Sequence, residues 1–201
     1  EKAHLDITHY ESLTDDDVRK IETEANTIAK KGIRVHKEFL PREKAEKEYG
    51  MEIYQGGAVP GKLLRIVSIA NTDVEACGGT HLDSTKDVGT IRIIKTAKVK
   101  DGVVRLVFVA GKAAEDFDKQ QRALVNKLAE ALSCTPEQVP ARAKELFENW
   151  KLKKKGKIGG VPLTTTETFK GNILNKTAEV LQTQEEHLLK TIQRFKKDVG
   201  L

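Results

Sequence analysis

The dipeptide Asp101-Gly102 stands between two apolar runs, Val88–Val99 and Val103–Ala110, and it is the strongest short turn signal in the chain. Tight hairpin turns need positive φ at their central residues, which Asp and Gly tolerate, and their twist matches that of two antiparallel strands. A hairpin is therefore expected here, and antiparallel pairing with it.

The residues before this hairpin alternate between strand and helix patterns. In His4–Tyr10, Leu5 and Ile7 face one way and Asp6 and Thr8 the other, as in a half-buried strand. Thr14 can cap a helix whose first turn, Asp15, Asp16 and Asp17, puts negative charge where the helix dipole favours it. Val18, Ile21, Ala25, Ile28 and Ala29 form its apolar face and Gly32 ends it. Ile33, Val35 and Phe39 read as a second strand, and Pro41 opens a short charged helix closed by Gly50. The loop 55–61 contains Gly56, Gly57, Pro60 and Gly61, and Leu63–Ala70 then looks like a buried strand. The fold class expected is α+β, an antiparallel sheet with helices over residues 1–111, followed by an α-helical module over 112–201.

That helical module carries a weak internal repeat. Leu124–Trp150 aligns without gaps on Ile173–Val199, with Asn126-Lys127 on Asn175-Lys176, Ala129-Glu130 on Ala178-Glu179, Leu132 on Leu181 and Glu137 on Glu186. Each copy reads as a short helix, a turn, and a longer helix beginning near Thr135-Pro136 or Thr183-Gln184. Duplication and convergence of two amphipathic helix pairs both account for this. A hinge or hairpin is expected near 156–168, where a Lys-rich stretch gives way to Gly, Pro and Thr.

At 201 residues the chain can bury a sizeable core, and 32% charged with 5% aromatic residues implies an aliphatic one. The net charge of +5 permits an anionic partner without requiring one. Two cysteines, Cys77 and Cys134, are too few for a disulfide framework, and the apolar stretches fall well short of the roughly 20 residues that span a bilayer. A cytoplasmic setting and no membrane partner are expected. A chain that begins at Glu1, inside a strand-like run, is expected to be a fragment.

The chemistry is concentrated in Cys77-Gly78-Gly79-Thr80-His81. A thiolate and an imidazole at this spacing can grip one zinc ion if the chain between them turns tightly, which the two glycines allow. A buried structural cysteine beside a surface histidine fits the same residues. The remaining histidines do not obviously complete a ligand set: His4 and His9 point to opposite faces, with His9 able to lie near the site across the sheet, His36 stands mid-strand, and His187 reads as solvated. The loop containing Gln55, Gly56 and Gly57 can bring backbone N–H groups close to an ester or phosphate, or be a plain surface turn. Lys151, Lys153, Lys154, Lys155 and Lys157 can track phosphates or simply solvate a helix end.

Four blocks together resemble one known family. Glu75–Leu82 with Thr85 and Val88–Arg92, His4–Tyr10, Gln55–Gly61 and Val104–Gly111 are similar, in order and spacing, to the editing domain of archaeal-type alanyl-tRNA synthetases and to free-standing relatives. Threonyl-tRNA synthetase editing domains share the Cys-x-x-x-His pair in different surroundings. The resemblance implies hydrolysis, in cis, of seryl- or glycyl-tRNA(Ala), with Cys77 and His81 as zinc ligands. For that chemistry Gln55, Gly56, Gly57, Gly78, Gly79 and Thr80 are candidates to line the substrate and the five lysines to meet tRNA, while His9 and Asp6 either position water or the sugar or are ordinary strand residues with polar outer faces. The family's second zinc-binding pair, His-x-x-x-His, precedes the block matching His4–Tyr10 and does not occur in this sequence. Implied partners are tRNA(Ala) and the remainder of a synthetase chain, with homo-oligomers formed through a C-terminal module. A non-catalytic tRNA-binding or connecting module, its Cys/His pair structural or vacant, is the alternative.

Overall fold

A computed structural model describes residues 2–54, 57, 59–157 and 161–201. The chain divides into two compact units, Glu1–Asp116 and Phe117–Leu201. Strands and helices segregate between and within them as an α+β fold.

The first unit holds two three-stranded antiparallel sheets. One has β1 (Ala3–Thr8), β6 (Val103–Ala110) and β5 (Ile91–Lys100) side by side in that order, β5 and β6 being the hairpin about Asp101-Gly102. The other has the order β2 (Val35–Pro41), β3 (Leu63–Ile69), β4 (Asp73–Ala76). Residues Leu40, Leu64, Ile66 and Ala76 of the second sheet meet Ala45 of α2 (Arg42–Tyr49) and Ile53 in a small buried core. Pro41 fixes the backbone just before α2 and carries no N–H to lose, which suits the entry to a helix.

The helix α1 (Asp15–Lys31) starts in a full capping box: the Thr14 hydroxyl accepts from the Asp17 amide, and the Asp17 carboxylate accepts from the Thr14 amide. Of its apolar face only Ala29 is buried, and Ile21 remains 37% exposed. Polar hooks dock this helix instead. The Asn26 side chain donates to the Ile91 carbonyl and accepts from the Ile91 amide, both at 2.9 Å, while Glu22 accepts from the Ile93 amide at 2.8 Å. The edge of β5 thus finds partners in a helix rather than in another strand. At the far end of α1, buried Thr85 donates to the Ile28 carbonyl and accepts from the Ile33 amide, tying the helix to the turn that follows β4. Gly89 is required nearby, since a Cβ there would lie 2.9 Å from the Gly111 Cα.

The second unit is built from most of α3 (Lys112–Leu132), α4 (Val139–Lys154), α5 (Ile173–Leu181) and α6 (Leu188–Val199). Its repeat extends to the backbone. Ser133 and Gln182 both end a helix at positive φ, 51° and 53°, and the next residues, Cys134 and Thr183, both donate to a carbonyl five residues back at 3.0 Å. A single 3₁₀ turn, Pro136–Gln138 or Glu185–His187, then leads into the longer helix of each pair. Equivalent positions Ala129 and Ala178, Leu132 and Leu181, Val139 and Leu188, and Leu146 and Phe195 share one buried core. Between the pairs, 161–169 has no regular structure and lies along α4. The Glu145 carboxylate accepts from the Thr164 and Thr165 amides, and Asn149 donates to the Val161 carbonyl. Residues 158–160 of the expected hinge fall outside the described residues.

Candidate functional site

The two loops marked in the sequence leave the second sheet at the same end. β3 is antiparallel to both neighbours, with Pro41 opposite Leu63 and Ile66 opposite Ala76. The start of β3 therefore lies beside the ends of β2 and β4. The glycine-containing loop before β3 and the Cys77–His81 turn after β4 emerge together.

Arg42 holds the first of these loops. Its backbone amide donates to the Lys62 carbonyl at 2.8 Å, its Nε to the Gly61 carbonyl at 2.9 Å, and its Nη2 to the Val59 carbonyl. Its Nη1 donates to the Tyr54 hydroxyl, which donates to Glu46, each at 2.6 Å. The Tyr54 hydroxyl, helped by Arg42, keeps the Glu46 carboxyl below its usual range, while desolvation and Glu46 push the Tyr54 phenol up. Gly57 donates its amide to the Tyr54 carbonyl at 2.8 Å. Gln55 and Gly56, expected to line the substrate, lie outside the described residues.

Cys77 is the first residue beyond β4, and its amide donates to the Arg65 carbonyl at 3.0 Å, extending the ladder by one step. Gly78, Gly79 and Thr80 follow as exposed backbone, and His81 is half-buried. The thiol and the imidazole flank one glycine: a Cβ on Gly79 would sit 3.5 Å from Cys77 Sγ and 3.9 Å from His81 Cε1. His81 Nδ1 lies 3.0 Å from the Gly79 carbonyl oxygen. A carbonyl only accepts, so the proton belongs on Nδ1 and the Nε2 lone pair is left for a ligand.

Three residues that sequence reasoning did not put forward as site residues shape this turn. Arg65 Nη1 donates to the carbonyls of Cys77 and Gly79, at 2.7 and 2.8 Å. Lys37 donates to the His81 carbonyl at 3.0 Å and to Asp83 at 2.6 Å, and holds the Asp83 carboxyl below its ordinary value. Thr85 anchors the far end, as described above. The signal for Arg65 was present: a charge in the middle of the apolar run Leu63–Ala70 needs a reason.

A soft thiolate and a neutral imidazole are suitable zinc donors, and the pair is held in a tight turn with the histidine tautomer fixed. Zinc sites use three or four protein ligands, however, and no group of three metal-binding side chains occurs among the described residues. The pair fits zinc as half of a site.

Asp6 and His9 lie elsewhere, at the turn end of the first sheet. Asp6 forms a bidentate pair with its cross-strand partner Arg105, at 2.7 and 2.8 Å, and the arginine holds its carboxyl below the usual range. The His9 amide donates to the Gly102 carbonyl at 3.0 Å. Of the five lysines, Lys151 pairs with Glu148 at 3.1 Å and lies 4.1 Å from the Phe147 ring centroid, and Lys154 stands 5.6 Å from that of Trp150. Lys153, Lys155 and Lys157 are exposed at or just past the end of α4. Trp150 packs on Phe195 and donates to Asp198 at 2.8 Å, a structural role.

Residues 64–107 match the family described as the threonyl and alanyl tRNA synthetase second additional domain, a span that includes all but the first residue of β3, β4 and the whole Cys77–His81 turn. The chain is 42% identical over 149 residues, 74% of its length, to the alanine–tRNA ligase of Pyrococcus furiosus, of which this covers 16%. It is 42% identical over 155 residues to that of Methanopyrus kandleri, covering 77% of this chain and 17% of the relative. For the alanine–tRNA ligase of Nitrosopumilus maritimus the identity is 52% over 128 residues, 64% of this chain and 14% of the relative. The chain thus spans about a sixth of the length of the curated relatives it matches. On a match that holds the whole Cys77–His81 turn, and on 42% identity over about three quarters of its length, the chain belongs to the alanyl-tRNA synthetase family and corresponds to the region around its second additional domain.

Proposed function

We propose that this segment hydrolyses the ester of mischarged seryl- or glycyl-tRNA(Ala), correcting in cis the errors of a longer alanine–tRNA ligase. The carrying observation is the placement of Cys77 Sγ and His81 around Gly79, beside the glycine-containing loop. A site selecting alanine cannot exclude glycine by size, and one methyl contact discriminates by only about 1–3 kcal/mol. A second, hydrolytic site restores the difference.

Cys77 and His81 Nε2 would hold a zinc ion together with two donors from outside the described residues. Zinc bound there supplies Lewis acidity for orienting the amino acid or its attacking water. The chain's own residues do the rest. Arg65 and Lys37 fix the turn, and the exposed amides of Gly78, Gly79 and Thr80, with those of the Arg42-held loop, can approach the ester oxygens. Asp6 acts on water only if its pair with Arg105 opens. Lys153, Lys155 and Lys157 meet phosphates. The partners are tRNA(Ala) and the rest of the synthetase, in the cytoplasm. No described helix is long and apolar enough to cross a membrane.

The test is release of serine, glycine and alanine from tRNA(Ala), with zinc content measured in parallel. Selective release of serine or glycine that disappears in Cys77→Ala supports the reading; equal release of all three, or none with zinc bound, refutes it. The lack of a third metal-binding side chain among the described residues favours a second reading, a non-catalytic tRNA-binding module. That module would bind tRNA with strong salt dependence and release no amino acid.

A further inference from the structure

Phe39, Arg65 and Cys77 form one cross-strand row of the second sheet. Phe39 is the register partner of Arg65, and the Cys77 amide bonds to the Arg65 carbonyl. Directly paired residues of antiparallel strands project from the same face, so the phenyl ring, the guanidinium and the thiol share a surface. The opposite face packs into the small core through Leu40, Leu64 and Ile66, while on the Phe39 face Val67 and Val35 are buried farther from the loops, so this face is open at its loop end. An open face normally carries polar side chains. Here it carries a phenylalanine 65% exposed, with Leu63 57% exposed in the next row towards the loops. Arg65 is drawn towards the Cys77–Gly79 carbonyls and does not cover the ring's outer side.

We propose that Phe39 is the shelf on which the terminal base of the aminoacyl-tRNA stacks, a role that rests on the editing reading above. Two strand spacings separate Phe39 from Cys77, about 10 Å. An aminoacyl-adenosine covers such a span from its amino group to its base. With the amino acid at the Cys77–His81 turn, the ribose lies over Arg65 and the base reaches the ring. Stacking on an aromatic face suits a terminal nucleotide because every base offers a π-surface and no hydrogen-bonding code is needed.

The test uses the protein at its full natural length. tRNA(Ala) ending in 8-azidoadenosine is irradiated on it, and the labelled peptides are mapped. Label is expected in the peptide containing Phe39. For serine release, Phe39→Ala should raise KM roughly 5- to 150-fold with kcat little changed, and Phe39→Trp should restore it. The effect should vanish with a substrate whose terminal ribose lacks its base. Parental KM in Phe39→Ala, an equal loss with the base-free substrate, or label confined to other peptides would overturn the shelf while leaving editing intact. Absence of serine release in the parent would instead overturn the editing reading, and the mapped label would then decide the shelf alone.

Discussion

One nitrogen of Arg65, Nη1, holds both halves of the Cys77–Gly79 turn, lying 2.7 Å from the Cys77 carbonyl and 2.8 Å from that of Gly79. The same residue's backbone carbonyl accepts from the Cys77 amide. A turn of exposed glycine backbone has little else to keep its shape. Replacing Arg65 by Lys keeps the charge but shortens the reach and exchanges the rigidly oriented guanidinium N–H groups for a freely rotating ammonium, so the two bonds are no longer preorganised. Arg65→Lys should lower zinc affinity and serine release by about 10- to 100-fold, as loss of outer support does in other metal sites. The thermal midpoint should move little, because the turn is on the surface. Metal titration beside a melting curve separates the two effects.

Thr85 is a structural counterpart. Its buried hydroxyl donates to the Ile28 carbonyl at 3.0 Å and accepts from the Ile33 amide at 2.9 Å. Thr85→Val keeps the shape and strands both backbone groups, at about 1–3 kcal/mol for each group left unpaired. Thr85→Ser keeps the hydroxyl and should cost about 1 kcal/mol or less, the worth of one methyl group. Urea unfolding should therefore rank parent, Ser and Val in that order, and equal midpoints for Ser and Val would refute the role.

These ties also mark the limit of what the sequence reveals. The hairpin at Asp101-Gly102, the Thr14–Gly32 helix and the strand at Leu63 were legible because each is set by residues adjacent in the chain: a turn dipeptide, a capping pair, a short apolar run. The helical repeat was legible at the level of buried positions, and even its helix ends agree, at Ser133 and Gln182. Strand β4, only four residues long, carries too little periodicity to announce itself. Division of the strands between two sheets was not visible either, because alternation says which face is apolar but not which strand is the neighbour. Arg65, Lys37 and Asn26 act on partners 12 or more residues away, and their roles exist only once the register is set. Cys77 and His81 were the exception, since spacing and glycines carry their signal locally.

Asn26 gives a test of the helix–strand docking. Its amide exchanges two hydrogen bonds with Ile91, the pattern a neighbouring strand would otherwise supply. Asn26→Leu leaves an amide and a carbonyl of β5 unpaired beneath α1, for a loss of about 2–4 kcal/mol. Hydrogen exchange at the Ile91 and Ile93 amides should accelerate with it. In the second unit, the Leu188 and Ile192 amides should keep their relative protection.

Acid should act on two carboxylates with opposite signs. Arg105 lowers the pKa of Asp6, so the contribution of Asp6 is present above its unfolded value of about 3.9 and is lost as pH falls through the lower folded value. Asp6→Asn should lower the urea midpoint at pH 7, with the gap closing towards pH 3. Burial raises the pKa of Glu185, so its folded state favours the protonated form; that contribution is present below about pH 4.3 and is lost as pH rises through the folded value. Glu185→Gln should therefore raise the midpoint at pH 7, and its advantage should shrink on acidification. Parallel shifts of both variants at every pH would contradict these assignments.

The lysines at the end of α4 divide by what they already touch. Lys151 is paired with Glu148 and rests over Phe147, and Lys154 lies over the Trp150 ring, so both are partly committed to the protein. Lys153, Lys155 and Lys157 have no side-chain hydrogen bond or ion pair among the described residues and can reach phosphates at little cost. A lysine that neutralises a phosphate displaces a counterion, so its removal lowers the salt dependence of binding by about 0.7–0.9 in log–log slope. Replacing Lys153, Lys155 and Lys157 by Ala should weaken tRNA binding several-fold and flatten the salt slope by about two. Replacing Lys151 and Lys154 should change the slope less and the melting temperature more, because their stems and charges pack on the rings beneath them. Binding measured between 50 and 200 mM salt distinguishes a phosphate-tracking surface from a merely solvated helix end, for which the triple variant would bind as the parent does.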